Sequence, residues 1–402
     1  MQDMQLMPGK KYLLRATLFH ARYSKIAVRS NYACRIAKTY NNFAILLPLL
    51  ILVLLPGLSA DGRASAARRG RIPSSQEPGQ SGVLKNSESQ AIADAQVTTV
   101  LGKMAAAGIA QPATVADVRR AYRFYPQLSG TPEHVFRIED RQIPGLSGNI
   151  PIRLYTPSSR SGMPVLVFFH GGGFVAGSLD THDAPLRSLA NRCECIIISV
   201  AYRLAPENKY PAAPDDAYAA TKWVAEHGPD IGVDPHRIAV AGDGAGGNLA
   251  AVVTLMARER GGPPLLFQVL IYPTLEATTM RPSWWAESDV PTVSRESKND
   301  ILSVYLPVTG RLRDPFVSPL FAESLRTLPP ALIVTYEDDA PMRVEAEEYA
   351  DRLKEDNVMA KVSLYPKMIH GFFLMAGYLD GGKKCINEIA STLRDTFERT
   401  SK

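Results

Sequence analysis

Cysteines and long apolar segments are both scarce in this sequence. Four cysteines are too few for a disulfide framework, and no cysteine or histidine spacing typical of a metal site is present. Charged residues make up 21% of the chain, and its 29 glycines and 30 prolines are ordinary for a globular protein. These values argue against chain-wide disorder, a fibrous repeat and a multi-span membrane protein.

The cysteines themselves suggest packing rather than chemistry. Cys193 and Cys195 stand two apart at the start of an apolar run, so in a regular strand they would share one face of a sheet. Cys34 and Cys385 are isolated in the sequence. We expect these cysteines to behave as small buried hydrophobic side chains.

Positive charge is concentrated near the N-terminus. Residues 1–42 carry eight lysines and arginines against one aspartate, whereas the net charge of the chain is +5. The part after residue 72 is mildly acidic, so the folded body lacks the basic balance of a nucleic-acid-binding domain. We therefore expect no nucleic-acid partner.

The N-terminal segment resembles an export signal. A 16-residue apolar run, Phe43–Leu58, follows the basic region and precedes Ala60, a small residue suited to cleavage. The run is shorter than the ~20 residues of a bilayer span. A cleaved signal, an uncleaved membrane anchor, a sticky N-terminus, and a start site placed too far upstream all stay open. The first two place the body in the periplasm or outside the cell, and a start-site artefact would leave it in the cytoplasm.

The remaining sequence divides into a linker and one large domain. Residues 61–87 are rich in Gly, Ser, Arg and Gln and predict a flexible linker after the leader of residues 1–60. From residue 88 to 402, apolar strand-like runs alternate with helical stretches, which predicts an α/β sheet with crossover helices. The predicted strands are Val135–Ile138, Ile150–Tyr155, Val165–Phe169, Cys195–Val200, Ile238–Ala241, Phe267–Tyr272 and Ala331–Thr335, and the predicted helices span 90–108, 114–124, 183–192, 214–228, 246–260 and 342–356.

A glycine-rich turn follows the third predicted strand. The segment His170-Gly171-Gly172-Gly173-Phe174 lets the backbone turn sharply and leaves N–H groups free to face a ligand. Fixed N–H dipoles of this kind can stabilise an oxyanion, although a plain strand-to-helix turn has the same composition.

A second glycine-rich turn has the layout of a nucleophile elbow. It reads Gly242-Asp243-Gly244-Ala245-Gly246, between an apolar strand and a helix start. In the G-x-S-x-G elbow of hydrolases the central residue is the catalytic serine. Here the central residue is Gly244, which has no side chain.

With these motifs the sequence resembles the hormone-sensitive-lipase-like family of α/β-hydrolases, which includes many bacterial carboxylesterases. The resemblance runs from about residue 88 to the C-terminus. It also covers Tyr202–Glu207, Tyr210–Ala213, Asp314-Pro315, Leu328–Ala331 and His370-Gly371-Phe372. It implies an eight-stranded, mostly parallel sheet flanked by helices, with a helical cap from residues 88–125 and 273–310.

The resemblance also implies roles for single residues. His370 matches the catalytic base, and Gly171, Gly172, Gly173 and Ala245 would form the oxyanion hole with His170 and Asp243 in the flanking motifs. Reading forward from Leu328 places the triad acid on Asp339, and reading backward from Glu345 places it on Ala340. One inserted residue reconciles both, and we favour Asp339 because it follows the strand directly.

The glycine at position 244 conflicts with the implied activity. Triad chemistry needs a serine oxygen that histidine deprotonates and the acyl group bonds. The sequence therefore predicts a carboxylic-ester hydrolase that is inactive or very weak, with a ligand-binding pseudoenzyme or receptor as the alternative. Water held by His370 could also act as a weak nucleophile.

The family resemblance and the sequence motifs also predict partners and cofactors. The expected ligand is a small ester or ester-like molecule, and the aromatic cap residues Trp284, Trp285 and Tyr305 suggest an apolar acyl or alcohol site. No nucleotide-binding glycine motif or Walker lysine is present, so we expect neither cofactor nor metal. Association of the leader with a membrane and homo-oligomer formation stay open.

Overall fold

A computed structural model describes the chain at residues 80–109, 114–281, 283, 295–307, 311–337 and 340–400. Within these residues, eight strands form one sheet in the order β1-β2-β4-β3-β5-β6-β7-β8. Only β2 pairs antiparallel with both of its neighbours, and all the other pairings are parallel. The expected eight-stranded, mostly parallel sheet is confirmed. The strands are β1 Arg137–Gly145, β2 Gly148–Thr156, β3 Met163–Phe169, β4 Ile196–Val200, β5 Val233–Asp243, β6 Phe267–Ile271, β7 Ala331–Tyr336 and β8 Ala360–Tyr365.

The central strands are buried on both faces, as their continuous apolar sequences predict. Along β3, Val165, Val167 and Phe169 face one core, and Leu166 and Phe168 face the other. Helices cover each face and supply the rest of both cores. The helices are α1 Gln80–Ala106, α2 Val115–Phe124, α3 Asp183–Cys193, α4 Ala212–His227, α5 Ala245–Glu259, α6 Arg295–Tyr305, α7 Ala340–Glu355 and α8 Asp380–Arg399.

The parallel arrangement brings several chain turns to one edge of the sheet. β3, β5, β6 and β7 all run in the same direction, so the residues after Phe169, Asp243, Ile271 and Tyr336 meet at their carboxyl ends. Ligand sites of open α/β sheets lie at this edge. Both glycine-rich turns found in the sequence are therefore brought together by the topology.

Helix α1 begins earlier than expected. It starts at Gln80, inside the predicted linker of residues 61–87. Adding residues to an existing helix gains one hydrogen bond per residue, so a packed helix can extend into a sequence of linker-like composition. The rest of the expected linker, and the leader with its apolar run, lie outside the described residues.

Cys193 and Cys195 form a disulfide, which the sequence analysis did not expect. Cys193 is the last residue of α3, and Cys195 precedes β4. Between them Glu194 has a φ of +53°, so the chain reverses and the two side chains meet. The two cysteines therefore do not share one face of a regular strand, and the predicted strand Cys195–Val200 begins one residue later, at Ile196. Both remain buried in the core, as expected.

None of the helices in the described ranges combines the length and apolarity needed to cross a membrane.

Candidate active site

The elbow at Gly244 joins β5 to α5 in a backbone conformation that glycine adopts readily and other residues do not. Gly244 has a φ of 53° and a ψ of −113°, outside the regions that residues with a side chain prefer. Its N–H donates to the carbonyl of Ile271 at 2.9 Å, and its own carbonyl accepts from Asn248 at 3.1 Å. The turn is thus held by β6 on one side and by the first turn of α5 on the other.

His370 faces the position where a side chain on Gly244 would begin. A Cβ built on Gly244 lies 3.6 Å from Nε2 of His370, which is ordinary van der Waals contact. A hydroxyl one bond further out could come within hydrogen-bonding distance of that nitrogen, the spacing that a nucleophile and its base require. The distance therefore matches the spacing of a nucleophile and a base, although Gly244 has no side-chain oxygen.

The electrostatics of His370 favour its neutral form. Burial lowers the pKa of His370 to about 4, and the negative charge of Asp243 opposes part of that shift. The ring packs beside Tyr272, with 4.9 Å between the ring centroids. A neutral imidazole with a free Nε2 lone pair is the form that can accept a proton.

The other ring nitrogen of His370 lacks its expected partner in the described part of the chain. Nδ1 is buried, and no hydrogen-bond partner is described for it. The favoured acid, Asp339, lies outside the described residues. Ala340, the alternative position, is the first residue of α7. The described residues therefore contain the base and the elbow but no carboxylate that orients the base.

The glycine-rich turn after β3 approaches the elbow from the other side. Gly172 and Gly173 have φ values of 126° and 60°, which turn the backbone away from the strand direction. The described residues offer no hydrogen-bond partner to the N–H groups of Gly172, Gly173 or Ala245, which is the first residue of α5. These three N–H groups, from two turns, are therefore candidates for the oxyanion donors.

Gly171 differs from its neighbours, and the expectation that its N–H belongs to the oxyanion hole is wrong. Its N–H donates to Oδ1 of Asp243 at 2.8 Å, so it is not free to stabilise an oxyanion. A Cβ on Gly171 would collide with the carboxyl group of Asp243. Glycine is required here because the carboxylate approaches closely, and the N–H serves to attach the turn to the elbow.

Asp243 is the centre of a buried network behind the elbow. Its Oδ1 also accepts from Nε2 of His182 at 2.9 Å, and the Nδ1 of that histidine lies 2.8 Å from Oγ1 of Thr181. Asp243 and His182 are 1% and 0% exposed. A buried carboxylate is costly unless it is paired and hydrogen-bonded, and this one is both. The network links the oxyanion turn, the elbow and the start of α3.

His170, the first residue of the glycine-rich motif, has a supporting position. Burial and the neighbouring His182 lower its pKa to about 4. Its Nδ1 donates to the carbonyl of Gly171 at 2.9 Å, and its ring stacks on Tyr202 with 4.3 Å between centroids. The Tyr202 hydroxyl donates to the carbonyl of His170 at 2.7 Å. These contacts hold the turn in place.

Helix α2 is attached to the loop that follows the oxyanion turn. The guanidinium of Arg119 donates to the carbonyl of Val175 at 2.8 Å and to that of Ala205 at 3.1 Å. It also pairs with both carboxylate oxygens of Glu207, at 2.9 and 2.7 Å. The same helix places Tyr122 over His182, with 6.4 Å between the rings. The expected cap helix therefore lies against the back of the site.

Helix α6, from the second predicted cap segment, is attached by a buried ion pair. Lys298 and Glu345 are 4% and 0% exposed and lie 3.1 Å apart. Tyr305 at the end of the same helix stacks on Phe174, with 4.0 Å between the rings. This contact places an aromatic wall next to the oxyanion turn. Trp284 and Trp285 lie outside the described residues.

Sequence reasoning overlooked three participants in these contacts: His182, Arg119 and the Lys298–Glu345 pair. Each acts on residues distant in the sequence, so no local pattern marks it. No cluster of histidine, cysteine and acidic residues able to hold a metal ion occurs in the ranges that the structure describes.

Comparisons with known proteins agree with this geometry. Residues 166–374 match a family model described as the α/β-hydrolase fold. The chain belongs to the α/β-hydrolase family. Carboxylesterase NlhH of Mycobacterium tuberculosis is 43% identical over 61% of this chain and 79% of its own length. Esterase LipI of the same organism is 40% identical over 70% of this chain and 88% of its own.

Solved α/β-hydrolase structures give the same result. A hyperthermophilic esterase from Pyrobaculum calidifontis superimposes with a TM-score of 0.67 and 40% identity, over 70% of this chain and 94% of that one. A serine-to-alanine variant of the esterase rPPE, complexed with (S)-Ac-CPA, gives a TM-score of 0.70 at 32% identity, over 75% and 97%. The similarity therefore spans nearly the whole of these esterases.

Proposed function

We propose that this α/β-hydrolase has a carboxylesterase pocket whose nucleophile position is occupied by Gly244, and that it binds small esters or ester-like molecules with little or no turnover. The observation that carries the proposal is the 3.6 Å between the Cβ position of Gly244 and Nε2 of His370. A serine at residue 244 would be within reach of the base, whereas the atoms nearest the Cβ positions of Gly242 and Gly246 do not include His370.

The neighbouring carboxylate cannot take the role of the serine. Oδ1 of Asp243 accepts hydrogen bonds from the N–H of Gly171 and from Nε2 of His182. Withdrawing the carboxylate would leave a buried N–H and a buried imidazole without partners, which is costly. Asp243 is therefore a structural group here and not a substitute nucleophile.

We assign the oxyanion hole to the N–H groups of Gly172, Gly173 and Ala245. These donors are fixed by the backbone of two turns, so they would need little reorganisation when charge develops on a bound carbonyl oxygen. Losing a triad member in a serine hydrolase leaves a rate ~10³–10⁴-fold above water, because the oxyanion hole and binding remain. A weak residual activity is compatible with the proposal.

We assign the acid that orients His370 to Asp339. The buried Nδ1 of His370 has no partner among the described residues, and an orienting carboxylate would satisfy it. In the sequence, Asp339 falls between the end of β7 at Tyr336 and the start of α7 at Ala340.

Ligand binding after loss of a serine hydroxyl has support among the similar structures. The solved serine-to-alanine variant of rPPE is complexed with (S)-Ac-CPA. Loss of a serine hydroxyl in this fold is therefore compatible with an occupied pocket. A receptor or carrier role for the present chain would use the same pocket.

Ester turnover by the parent chain and by Gly244→Ser tests this proposal. Hydrolysis of p-nitrophenyl butyrate should be near background in the parent and several orders of magnitude faster in the variant, since only the serine oxygen is missing. Gly232→Ser is a matched control, because Gly232 also has a positive φ of 77° but nothing within 4 Å of its Cβ position. That control should stay at the level of the parent.

Two results would separate the alternatives. A Gly244→Ser protein that folds, binds a non-hydrolysable butyrate analogue and remains inactive would favour a receptor whose site has diverged further. A parent that already hydrolyses the ester at ordinary enzymatic rates would contradict the assignment of residue 244.

We also propose that the chain is exported. The basic N-terminal region, the apolar run Phe43–Leu58 and Ala60 carry this proposal, and the Cys193–Cys195 disulfide supports it because disulfides persist in oxidising compartments. Protein from the native host should fractionate outside the cytoplasm. An N-terminal sequence that begins at Met1, together with a cytoplasmic location, would overturn export.

A further inference from the structure

We propose that this chain catalyses acyl transfer from an ester to a free small primary alcohol, which occupies the space that the side chain of a catalytic serine would fill at Gly244. The inference rests on the proposed function, because it uses the same ester pocket and the same base. It adds a reaction and a second substrate class that the proposed function lacks.

The space in front of Gly244 carries the inference. In the described part of the chain, leaving aside Gly244 and its two chain neighbours, the only heavy atoms within 4 Å of the Cβ position belong to the ring of His370, at 3.6 Å for Nε2 and 3.9 Å for Cε1. The neighbouring Gly246 contrasts with this, since a Cβ there would collide with the carbonyl of Phe169. Among the elbow glycines, Gly244 thus combines room for additional atoms with a facing base.

The chemistry of the surrounding groups selects a neutral, protic nucleophile. His370 is neutral above a pH of about 4 because burial lowers its pKa. A neutral imidazole can take a proton from an alcohol during attack, which is general-base catalysis. Methanol has the CH₂OH group of the missing side chain, with a C–H bond in place of the bond to Cα, and it is small enough to bring a hydroxyl proton near Nε2 of His370.

The step balances without an oxidant or a cofactor. The alcohol oxygen attacks the acyl carbon while His370 Nε2 takes its proton, and the carbonyl electrons move onto oxygen near the N–H groups of Gly172, Gly173 and Ala245. The intermediate then collapses, the bond to the leaving alkoxide breaks, and His370 returns the proton to that oxygen. An ester and an alcohol become a new ester and the leaving alcohol.

The size of the nucleophile should decide the rate. A bulky alcohol has the same hydroxyl but cannot bring it between the backbone of Gly244 and the ring of His370. In an ordinary serine esterase an added alcohol attacks the acyl-enzyme after the leaving group has departed. Here the alcohol acts in the first step, so it should accelerate leaving-group release itself.

The experiment measures p-nitrophenol release from p-nitrophenyl butyrate by the parent chain with increasing methanol, and methyl butyrate by gas chromatography. We expect release to rise about tenfold or more at molar methanol, with methyl butyrate formed in step. The same concentrations of tert-butanol should give no increase. This comparison needs no variant, so it does not depend on how any substitution folds.

Two variants locate the effect. His370→Ala should lower the methanol-dependent rate by ~10²-fold or more, since it removes the base. Gly244→Ala should abolish it by placing a methyl group in the space, and Gly232→Ala is the matched control for alanine at a positive φ. Circular dichroism and thermal midpoints show whether each variant is folded.

The proposal is overturned if methanol leaves the parent rate unchanged, if tert-butanol acts equally, or if folded His370→Ala keeps the methanol-dependent rate. Its failure is distinguishable from failure of the proposed function. A Gly244→Ser variant that hydrolyses the ester, beside a parent that ignores methanol, would remove this inference alone. Inactivity of both proteins, with no ligand bound, would remove both.

Discussion

The two sides of the elbow differ in how completely their polar groups are paired. On the Asp243 side, the carboxylate, His182 and the N–H of Gly171 form short hydrogen bonds in a fully buried network. On the Gly244 side, His370 faces a residue without a side chain, and its buried Nδ1 has no partner in the described residues.

This difference distinguishes the residues that stabilise the site from the residues that would carry out its chemistry. Pairing on the Asp243 side follows from burial, since an unpaired carboxylate or imidazole there would destabilise the fold. A serine oxygen at residue 244 would add no comparable stability. Glycine there avoids the backbone strain that a side chain would cause. The fold can therefore keep the shape of an esterase site while the nucleophile is absent.

The largest expected effect tests the Gly244 side of the elbow. In a Gly244→Ser background, Asp339→Asn should lower kcat by about 10⁴-fold, because the imidazole loses the carboxylate that holds its tautomer and stabilises its positive charge. Steady-state kinetics on p-nitrophenyl butyrate measure this. Asp338→Asn is the matched control and should have little effect. Near-normal kcat for Asp339→Asn would transfer the role to another residue or to none.

The next largest effect tests the hydrogen bonds on the Asp243 side of the elbow. Asp243→Ala should lower the free energy of unfolding by about 3–5 kcal/mol, since it leaves the buried His182 and the N–H of Gly171 without their partner. Asp243→Asn should cost much less, because its amide oxygen can still accept both hydrogen bonds. Urea denaturation of the parent and the two variants measures the difference. Equal losses would mean that the charge of the carboxylate matters and its hydrogen bonds do not.

The pH dependence of the Gly244→Ser variant tests how the surroundings of His370 set its pKa. Burial lowers the pKa of His370 to about 4, and the Asp339 carboxylate that we assign to its Nδ1 would oppose this shift. We expect the acid limb of kcat/KM to lie above pH 4 and to move down towards pH 4 when Asp339→Asn is added. An acid limb that does not move with Asp339→Asn would contradict the assignment of the acid.

The same shift has a consequence for stability. Below pH 6.5 the unfolded chain takes up protons on His170 and His370 before the folded chain does, since both have a folded pKa of about 4. The free energy of unfolding should therefore fall as the pH drops from 6.5 towards 4. Urea denaturation of the parent and of His370→Ala at several pH values checks the direction, and a parent that is more stable at pH 5 than at pH 7 would contradict it.

The smallest effect concerns the elbow backbone. Gly244→Ser should lower the free energy of unfolding by ~1–3 kcal/mol, because serine must adopt the φ of 53° and ψ of −113° that glycine tolerates. Chemical denaturation of the parent, Gly244→Ser and Gly232→Ser measures it. Equal or greater stability of Gly244→Ser would show that the elbow carries no strain.

Much of this arrangement could be predicted from the sequence because it is local. A strand, a glycine turn and a helix start in succession specify the elbow at Gly244 and the turn at Gly172. Strand β8 escaped prediction because it is half-exposed and lacks a continuous apolar run. Helix α8 did carry a readable signal, an apolar face that includes Ile389, Leu393 and Phe397 at helical spacing, and it was overlooked.

The sequence could not show that the N–H of Gly171 already has a hydrogen-bond partner. Gly171 belongs to the same motif as its neighbours, and only the fold brings Asp243, 72 residues away, against its N–H. His182 meets the same carboxylate from 61 residues away. Contacts of this kind are set by the sheet order, which a motif does not contain.

Covalent labelling by an organophosphate tests the central claim most directly. Diisopropyl fluorophosphate needs an oxygen at the nucleophile position and a functioning base, and intact-protein mass spectrometry followed by peptide mapping identifies the adduct. The account predicts one adduct on residue 244 of the Gly244→Ser variant and none on the parent. A stoichiometric adduct on the parent would contradict it, because another residue would then hold the nucleophile.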